Sequence, residues 1–388
     1  MSDHRWHLIT GEYPPQSGGV SDYTASLACA LADAGMEVHV WAPAADGVAA
    51  GDPRVEVHRL PGGFGEPGLS AMSAGLDRLG SPRTLLVQYV PQAFGARGMN
   101  VRFCRWVQAR AREQRDDVRV MFHEPYYPFT LWPLHRNLLA LVNRVMAVLL
   151  LSDIRVAYVS TEAWQRRLAR YAPRARRFTW LPIPSTVPAA ADPARVAAWH
   201  ARIAPDPHVP IIGHFGTYGA LVARLLEPTL ALLLNRESEA RVCLIGMGSG
   251  AFAKRLCADH AEWRVRVTAT EQLPADEVAA CLRACDLVVQ PYADGASGRR
   301  TSLMAGLVNG VPVVTNRGAA TEAEWEASDA VAFSDRAQPA ALCDAVLRLL
   351  ADGDRRQRIG LAGTALYADR FALARTVETL LAQRRSNG

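Results

Sequence analysis

The chain has 388 residues, 49% of them hydrophobic and 21% charged, with a formal net charge of +5. That length exceeds one ordinary hydrophobic core and suits two domains. The composition is that of a soluble globular protein, and the modest positive charge admits anionic substrates without arguing for nucleic acid. The N-terminal MSDHRWHLIT lacks a basic stretch followed by an apolar run and does not read as a signal peptide. Residues 138–151 form the longest apolar stretch and contain Asn143 and Arg144. They are too short and too polar to span a bilayer, and suit a core helix or one with a face at a membrane surface.

Short apolar, β-branched runs alternate with amphipathic segments from end to end. Strands are expected at 7–10, 38–42, 55–60, 85–89, 118–123 and 156–160, with helices at 21–34, 101–115, 134–151 and 162–171. A stretch dense in Pro and Ala runs from Pro182 to Pro210, holds one short helical piece at 193–201, and reads as an interdomain linker. The alternation restarts with strands at 211–215, 241–245, 265–269, 287–290, 313–315 and 330–333. Helices are expected at 220–234, 251–261, 275–284, 301–309, 337–350 and 373–383. This is the pattern of two open α/β domains with parallel sheets and crossover helices. Ligands of such sheets bind outside the carboxyl ends of the strands, so two facing domains would form a cleft.

Several turns could carry chemistry. Gly18-Gly19, after the first strand and before a helix, lets a backbone approach a ligand, although a plain glycine turn is the competing reading. His123 and Glu124 end a middle strand, followed by Tyr126, Tyr127, Phe129 and Trp132, which suit either sugar stacking or a core. In the second half, Gly213 and Gly216 flank a turn after its first strand. Gly246-Met-Gly248-Ser-Gly-Ala251 matches G-x-G-x-x-A, but no acidic residue ends a clear following strand as a dinucleotide site requires. No Gly-Lys-Ser or Gly-Lys-Thr is present, which disfavours a P-loop. Arg166, Arg167, Arg170, Arg174, Arg176 and Arg177 form a basic run, read as a solvated surface or as a contact for an anionic acceptor or membrane headgroups. The seven cysteines show no CxxC and read as buried thiols in a reducing cytosol, and no Asp-x-Asp metal motif occurs.

The segment 290–314 is the most informative. A buried strand empties into a Gly-rich loop carrying Asp294, Ser297, Arg299 and Arg300, which feeds a helix opening at Thr301, Ser302 and Leu303. Backbone amides, the positive helix end and two guanidiniums together suit a diphosphate.

With these pieces in order, the chain resembles the retaining glycosyltransferases of the GT-B fold, family 4, over nearly its whole length. The resemblance rests on the Gly-Gly loop, His123-Glu124, the Ile183-Pro184 hinge, residues 244–248 and the segment 291–314. It implies two Rossmann-like domains facing a central cleft: 1–184 on the acceptor side, a linker at 185–209, a nucleotide-sugar domain at 210–370, and a C-terminal helix within 371–388 crossing back to the N-terminal domain. It further implies transfer of a hexose-type sugar from a nucleotide-diphosphate donor to a hydroxyl acceptor, with retention and without metal or cofactor. The acceptor would be a small molecule, a glycan or a glycolipid. The bacterial cytoplasm, with possible contact at the inner membrane face, is the expected location.

By the same resemblance, Gly18, Gly19, Gly213, Gly216, Thr301, Ser302 and Leu303 would lie along the diphosphate. His123 would lie beside the transferred sugar and serve catalysis; Arg299 and Arg300, read from the loop itself and outside the family's pattern, would join it, and Glu124, Gly246, Asp294, Ser297 and Glu322 are read as facing the sugar or nucleoside. The family's paired glutamates, eight positions apart, are replaced by Ser297 and Ala305, with Asp294 a substitute for the first. A silent nucleotide-binding subunit and a nucleotide-sugar epimerase are the alternatives.

Overall fold

The computed structural model describes residues 5–16, 18–47, 51–113, 116–132, 136–173, 176–190 and 192–385. Two compact units result: residues up to Pro182 together with Leu373 onward, and Ile183–Ala372. In the first half of the chain the strands are β1 (Arg5–Thr10), β2 (Glu37–Pro43), β3 (Val55–Leu60), β4 (Arg83–Tyr89), β5 (Asp117–Phe122), β6 (Val156–Val159) and β7 (Phe178–Trp180). The helices are α1 (Gly19–Asp33), α2 (Glu66–Leu79), α3 (Val101–Arg112), α4 (Arg136–Asp153) and α5 (Glu162–Leu168). All strands are parallel, in the order β3-β2-β1-β4-β5-β6-β7. Every residue of β4 is buried, as a central strand covered on both faces requires.

The second unit holds β8 (Ile211–Phe215), β9 (Arg241–Ile245), β10 (Val267–Ala269), β11 (Leu287–Gln290), β12 (Val313–Asn316) and β13 (Ala332–Ser334), in the parallel order β10-β9-β8-β11-β12-β13. Its helices are α6 (Pro193–Ile203), α7 (Ala220–Arg236), α8 (Ser249–Leu256), α9 (Ala275–Arg283), α10 (Thr301–Val308), α11 (Ala323–Ala327), α12 (Pro339–Leu350) and α13 (Gly353–Leu366). The last helix, α14 (Leu373–Arg385), packs in the first unit, as the resemblance implied. Buried Arg119 holds it there, donating to the Leu380 carbonyl at 2.8 Å while Asp117 Oδ2 accepts from its Nη2 at 2.6 Å.

The departures from the sequence reading have local causes. Residues 185–209, expected as a linker, fold within the second unit. Asp192 caps α6 by accepting from the Ala194 amide at 2.9 Å, and buried Trp199 donates to Glu277 on α9 at 2.7 Å. Helix α2 was hidden by Pro67-Gly68, which look like a turn, but Pro is tolerated in the first turn of a helix. Polar α13 shows little periodicity, and its start is fixed by Asp352 accepting from the Arg355 amide at 2.8 Å. None of the seven cysteines forms a disulfide, and six are buried. Among the described residues, no helix is long and apolar enough to cross a membrane.

Candidate functional site

In both sheets the strand order reverses beside the first strand of the unit, between β1 and β4 and between β8 and β11. Open α/β sheets bind ligands beyond the carboxyl ends of strands at such points. In the second unit the loop after β11 leaves at this place and is fixed from several sides. The Asn316 side chain both accepts from the Tyr292 amide (2.9 Å) and donates to its carbonyl (2.8 Å), extending the sheet pairing by one residue. Gly295, at φ +90°, presses against Gly318 and Thr321, where a Cβ would sit 2.3 Å from the Gly318 nitrogen. The Gly298 amide donates to both carboxylate oxygens of Glu322, and its carbonyl accepts from the Ile183 amide at 2.8 Å.

On this frame stand the two arginines. Arg299 donates to Asp294 Oδ2 at 2.8 Å, and Arg300 donates to Asp294 Oδ1. The Arg300 guanidinium lies 4.7 Å from the centroid of the Tyr292 ring, whose hydroxyl bonds Ser302 Oγ at 2.8 Å. Burial pushes the Tyr292 hydroxyl up to about 12, so it stays protonated. Three charged groups, two positive and one negative, thus converge at the N-terminus of α10. The first amides of a helix have no acceptor within it. The Leu303 amide already donates to the Arg300 carbonyl at 3.0 Å, which removes it from the expected phosphate contacts and leaves Thr301 and Ser302.

Other expected site residues lie in the packed interior of the second unit. Ser297 is fully buried, with no hydrogen-bond partner for its hydroxyl among the described residues. Glu322 is 3% exposed and spent on Gly298 and the Trp325 indole (2.8 Å). Gly213 lies inside β8, where a Cβ would meet Cys285 Sγ at 2.8 Å, so packing between sheet and helix accounts for its glycine. His214 is buried, donates from Nδ1 to the Val289 carbonyl (2.8 Å), and is lowered to about 4 by burial. Gly246, at φ +112°, backs onto Gly216, 2.5 Å from its carbonyl oxygen to a would-be Cβ. Ala305 is fully buried within α10.

Two glutamates escaped the sequence reading. Glu271, two residues beyond β10, accepts from the Gly248 amide (2.9 Å) and the Gly250 amide (2.7 Å). An acid does follow that strand, contrary to expectation, but its carboxylate fills the anion-binding turn of the G-x-G-x-x-A segment instead of awaiting a ribose. In the first unit Glu12 Oε1 accepts from the Val20 and Ser21 amides, both at 3.2 Å, at the start of α1. Gly18 is small because that carboxylate passes 2.6 Å from where its Cβ would be, while Gly19 faces open space.

His123 follows β5 with its Nε2 2.7 Å from Gln88 Oε1, which assigns the ring proton to Nε2. Its ring stands edge-on to Tyr23 of α1 at 5.2 Å. Burial lowers it to about 3, so the ring is neutral at physiological pH, suited to positioning and not to acid catalysis. Glu124 is exposed, 3.5 Å from Gln92 Nε2, which donates to the Tyr127 hydroxyl at 2.6 Å. Nearby, a cavity of about 710 Å³ opens beyond the ends of β1 to β4, lined by Gly11, Gln16, Pro43, Phe64, Gln92 and Arg102. No sequence motif marked it. Of the basic run, Arg174 lies outside the described residues. Arg176 instead caps α4, donating to the carbonyls of Leu151 and Ser152 (both 3.1 Å).

Residues 208–352 match the family described as Glycosyl transferases group 1. Sucrose-phosphate synthase from Thermosynechococcus elongatus is 16% identical, with 99% of this chain and 98% of that one covered at a TM-score of 0.75. HepE from Anabaena, solved with UDP-glucose, is 13% identical over 98% and 99% at 0.70. WaaG, a glycosyltransferase involved in lipopolysaccharide biosynthesis, is 16% identical over 97% and 98% at 0.65. No curated protein sequence matches the chain. The fold is that of the GT-B glycosyltransferases, and the match to the glycosyl transferases group 1 family falls within the second unit.

Proposed function

We propose that the protein transfers a sugar from a nucleotide-diphosphate donor to a hydroxyl acceptor, with retention and without metal or cofactor. The observation that carries this reading is the convergence of Arg299 and Arg300 on Asp294 at the N-terminus of α10, beside a strand-order switch. Cleavage of the sugar–phosphate bond builds negative charge on the leaving diphosphate. Two guanidiniums and the Thr301 and Ser302 amides, already in place, stabilise that charge without reorganising at the moment of reaction. They supply the neutralisation that a metal ion otherwise gives. His123, neutral and held by Gln88, orients a sugar hydroxyl. The leaving phosphate takes the acceptor's proton. The UDP-glucose complex of HepE supports a nucleotide-sugar donor.

Titration calorimetry with UDP, GDP, dTDP and ADP, followed by transfer assays with their sugars, tests the proposal. Failure of all four diphosphates to bind would overturn it. The silent-subunit reading is favoured by Ala305 and Ser297 at the glutamate positions, and it predicts binding without transfer or donor hydrolysis.

We further propose that the acceptor is met at an anionic bilayer surface. Leu138, Leu141, Val145 and Val148 form an exposed stripe along α4, preceded by exposed Phe129, Leu131 and Trp132. Residues 125–178 carry nine arginines against two acids, a local excess larger than the net charge of the whole chain. An apolar stripe with basic flanks is the composition of an interfacial helix. Sedimentation with phosphatidylglycerol vesicles should deplete wild type and spare Leu141→Glu/Val145→Glu. Equal sedimentation of the two, or none, would refute the contact.

A further inference from the structure

The edge of the first sheet carries a cluster of side chains that sugar transfer does not use. In the parallel pair β2 and β3, His39 stands opposite Glu56 and Trp41 opposite His58. His39 Nδ1 is 3.1 Å from His58 Nε2 and 3.3 Å from Glu56 Oε2, and His58 Nε2 is 3.6 Å from Glu56 Oε1. A tetrahedral ion with bonds of about 2.0–2.1 Å sets its ligands roughly 3.3–3.4 Å apart. The three separations, two of them to different oxygens of Glu56, lie around that spacing, and a turn of the exposed carboxylate presents one oxygen to both rings.

The hydrogen bonds around the rings fit the same geometry. His39 Nε2 is 3.0 Å from Glu37 Oε1, which can only accept when ionised, so this nitrogen carries the proton. Arg5 Nε fixes that carboxylate at 2.8 Å. In the neutral ring Nδ1 is then a lone pair, facing a carboxylate oxygen 3.3 Å away. That contact needs a positive partner between its two atoms, which either a second ring proton or a bound cation supplies. A cation among the three lone pairs relieves all three contacts. The Glu37–His39 contact is also the carboxylate–histidine pairing that orients metal-bound imidazoles. The rings are held besides: Trp41 stacks on His58 at 4.0 Å and His7 on His39 at 4.8 Å.

We propose that His39 Nδ1, His58 Nε2 and a Glu56 carboxylate oxygen bind a divalent transition-metal ion, zinc by the character of the donor set, with water in the fourth position. Two imidazoles and a carboxylate suit zinc and not the oxygen-preferring magnesium or calcium. Glu56 is well exposed, which leaves an entry path and room for the water. The ion would fasten edge strand β3 to β2. Its ligands lie within the strands and not beyond their carboxyl ends, so the role is structural.

The test uses the full chain, stripped with chelator and titrated with zinc, with cobalt as a spectroscopic substitute. Wild type should take one equivalent, rise in melting temperature, and show tetrahedral cobalt bands without thiolate charge transfer. His58→Ala and Glu56→Gln should each bind at least tenfold more weakly while giving wild-type circular dichroism. These positions are chosen because His39 is nearly buried, and its loss could unfold the strand pair. Absence of saturable binding in wild type, unchanged affinity in both variants, or a thiolate band placing the ion on cysteines would each overturn the proposal.

Discussion

Asp294 Oδ2 accepts a hydrogen bond from Arg299 Nη2 at 2.8 Å, and the same carboxylate accepts from Arg300, so one acid holds both arginines of the candidate phosphate site. Under the proposed function, this carboxylate stands against the same two guanidiniums that would hold the diphosphate. It keeps the guanidiniums together when no anion is bound, and it competes when one arrives.

Asp294→Asn should therefore tighten nucleoside-diphosphate binding. The acid and both arginines are only partly buried, and pairs of this kind are worth up to about 1 kcal/mol, or roughly fivefold in affinity. Calorimetry with UDP reads the change directly. A weaker complex would mean that Asp294 organises the arginines more than it blocks them.

Arg300→Ala removes a full charge together with its stacking on Tyr292. Nucleotide affinity should fall at least tenfold and transfer should nearly vanish, since the lost contact strengthens as the leaving group gains charge. Arg300→Lys should recover part of the binding but little of the rate, because an ammonium lacks the planar fork. Wild-type kinetics in either variant would remove Arg300 from the site.

Glu322→Ala strips the buried acceptor from the Gly298 amide and the Trp325 indole. Unsatisfied buried donors cost about 1–3 kcal/mol each, so urea unfolding should show a loss of that order. Nucleotide binding should weaken with it, as the loop loses its anchor. By contrast, Glu271→Ala should lower stability by about 1 kcal/mol through two uncapped amides while leaving nucleotide affinity unchanged. A change in affinity there would return the G-x-G-x-x-A turn to the ligand site.

His123 and His214 are lowered by burial, to about 3 and about 4. The unfolded chain titrates them near 6.5. Above that value both states are neutral and these groups exert no pH effect. As pH falls below it, the unfolded chain takes protons that the native state refuses, and stability drops by about 1.4 kcal/mol per unit for each group. His7, lowered by burial in the same way, is a third such group, so urea titrations should show a loss of about 6 kcal/mol between pH 7.5 and 5, and His123→Gln should reduce it by about a third. A flat profile would show that the unfolded chain shields these rings.

Much of the architecture was legible in the sequence. Short apolar, β-branched runs such as Leu85-Leu86-Val87 and Leu287-Val288-Val289, bounded by turn residues, read as strands buried on both faces, and such strands imply parallel sheets with crossover helices. The Gly-rich loop with adjacent arginines before a helix was visible for the same reason, because a helix start and its flanking charges are neighbours along the chain. Helices α2 and α13 were not, since one begins on a Pro-Gly pair and the other is polar almost throughout.

What the sequence determined by itself was thus the alternation of elements and the place of the arginine pair, because both depend on residues a few positions apart. The tertiary structure alone decided what each turn does. Glu12, Glu271 and Glu322 reach amides 8 to 24 residues away and fill acceptor positions that glycine spacing had suggested for a ligand. Asp294 claims both arginines, and Glu56 and His58 meet His39 across a strand pair. Carboxylates and imidazoles have no spacing rule of their own. Their partners are set by which loops and strands the sheet order brings side by side, and that is fixed only when the whole unit packs.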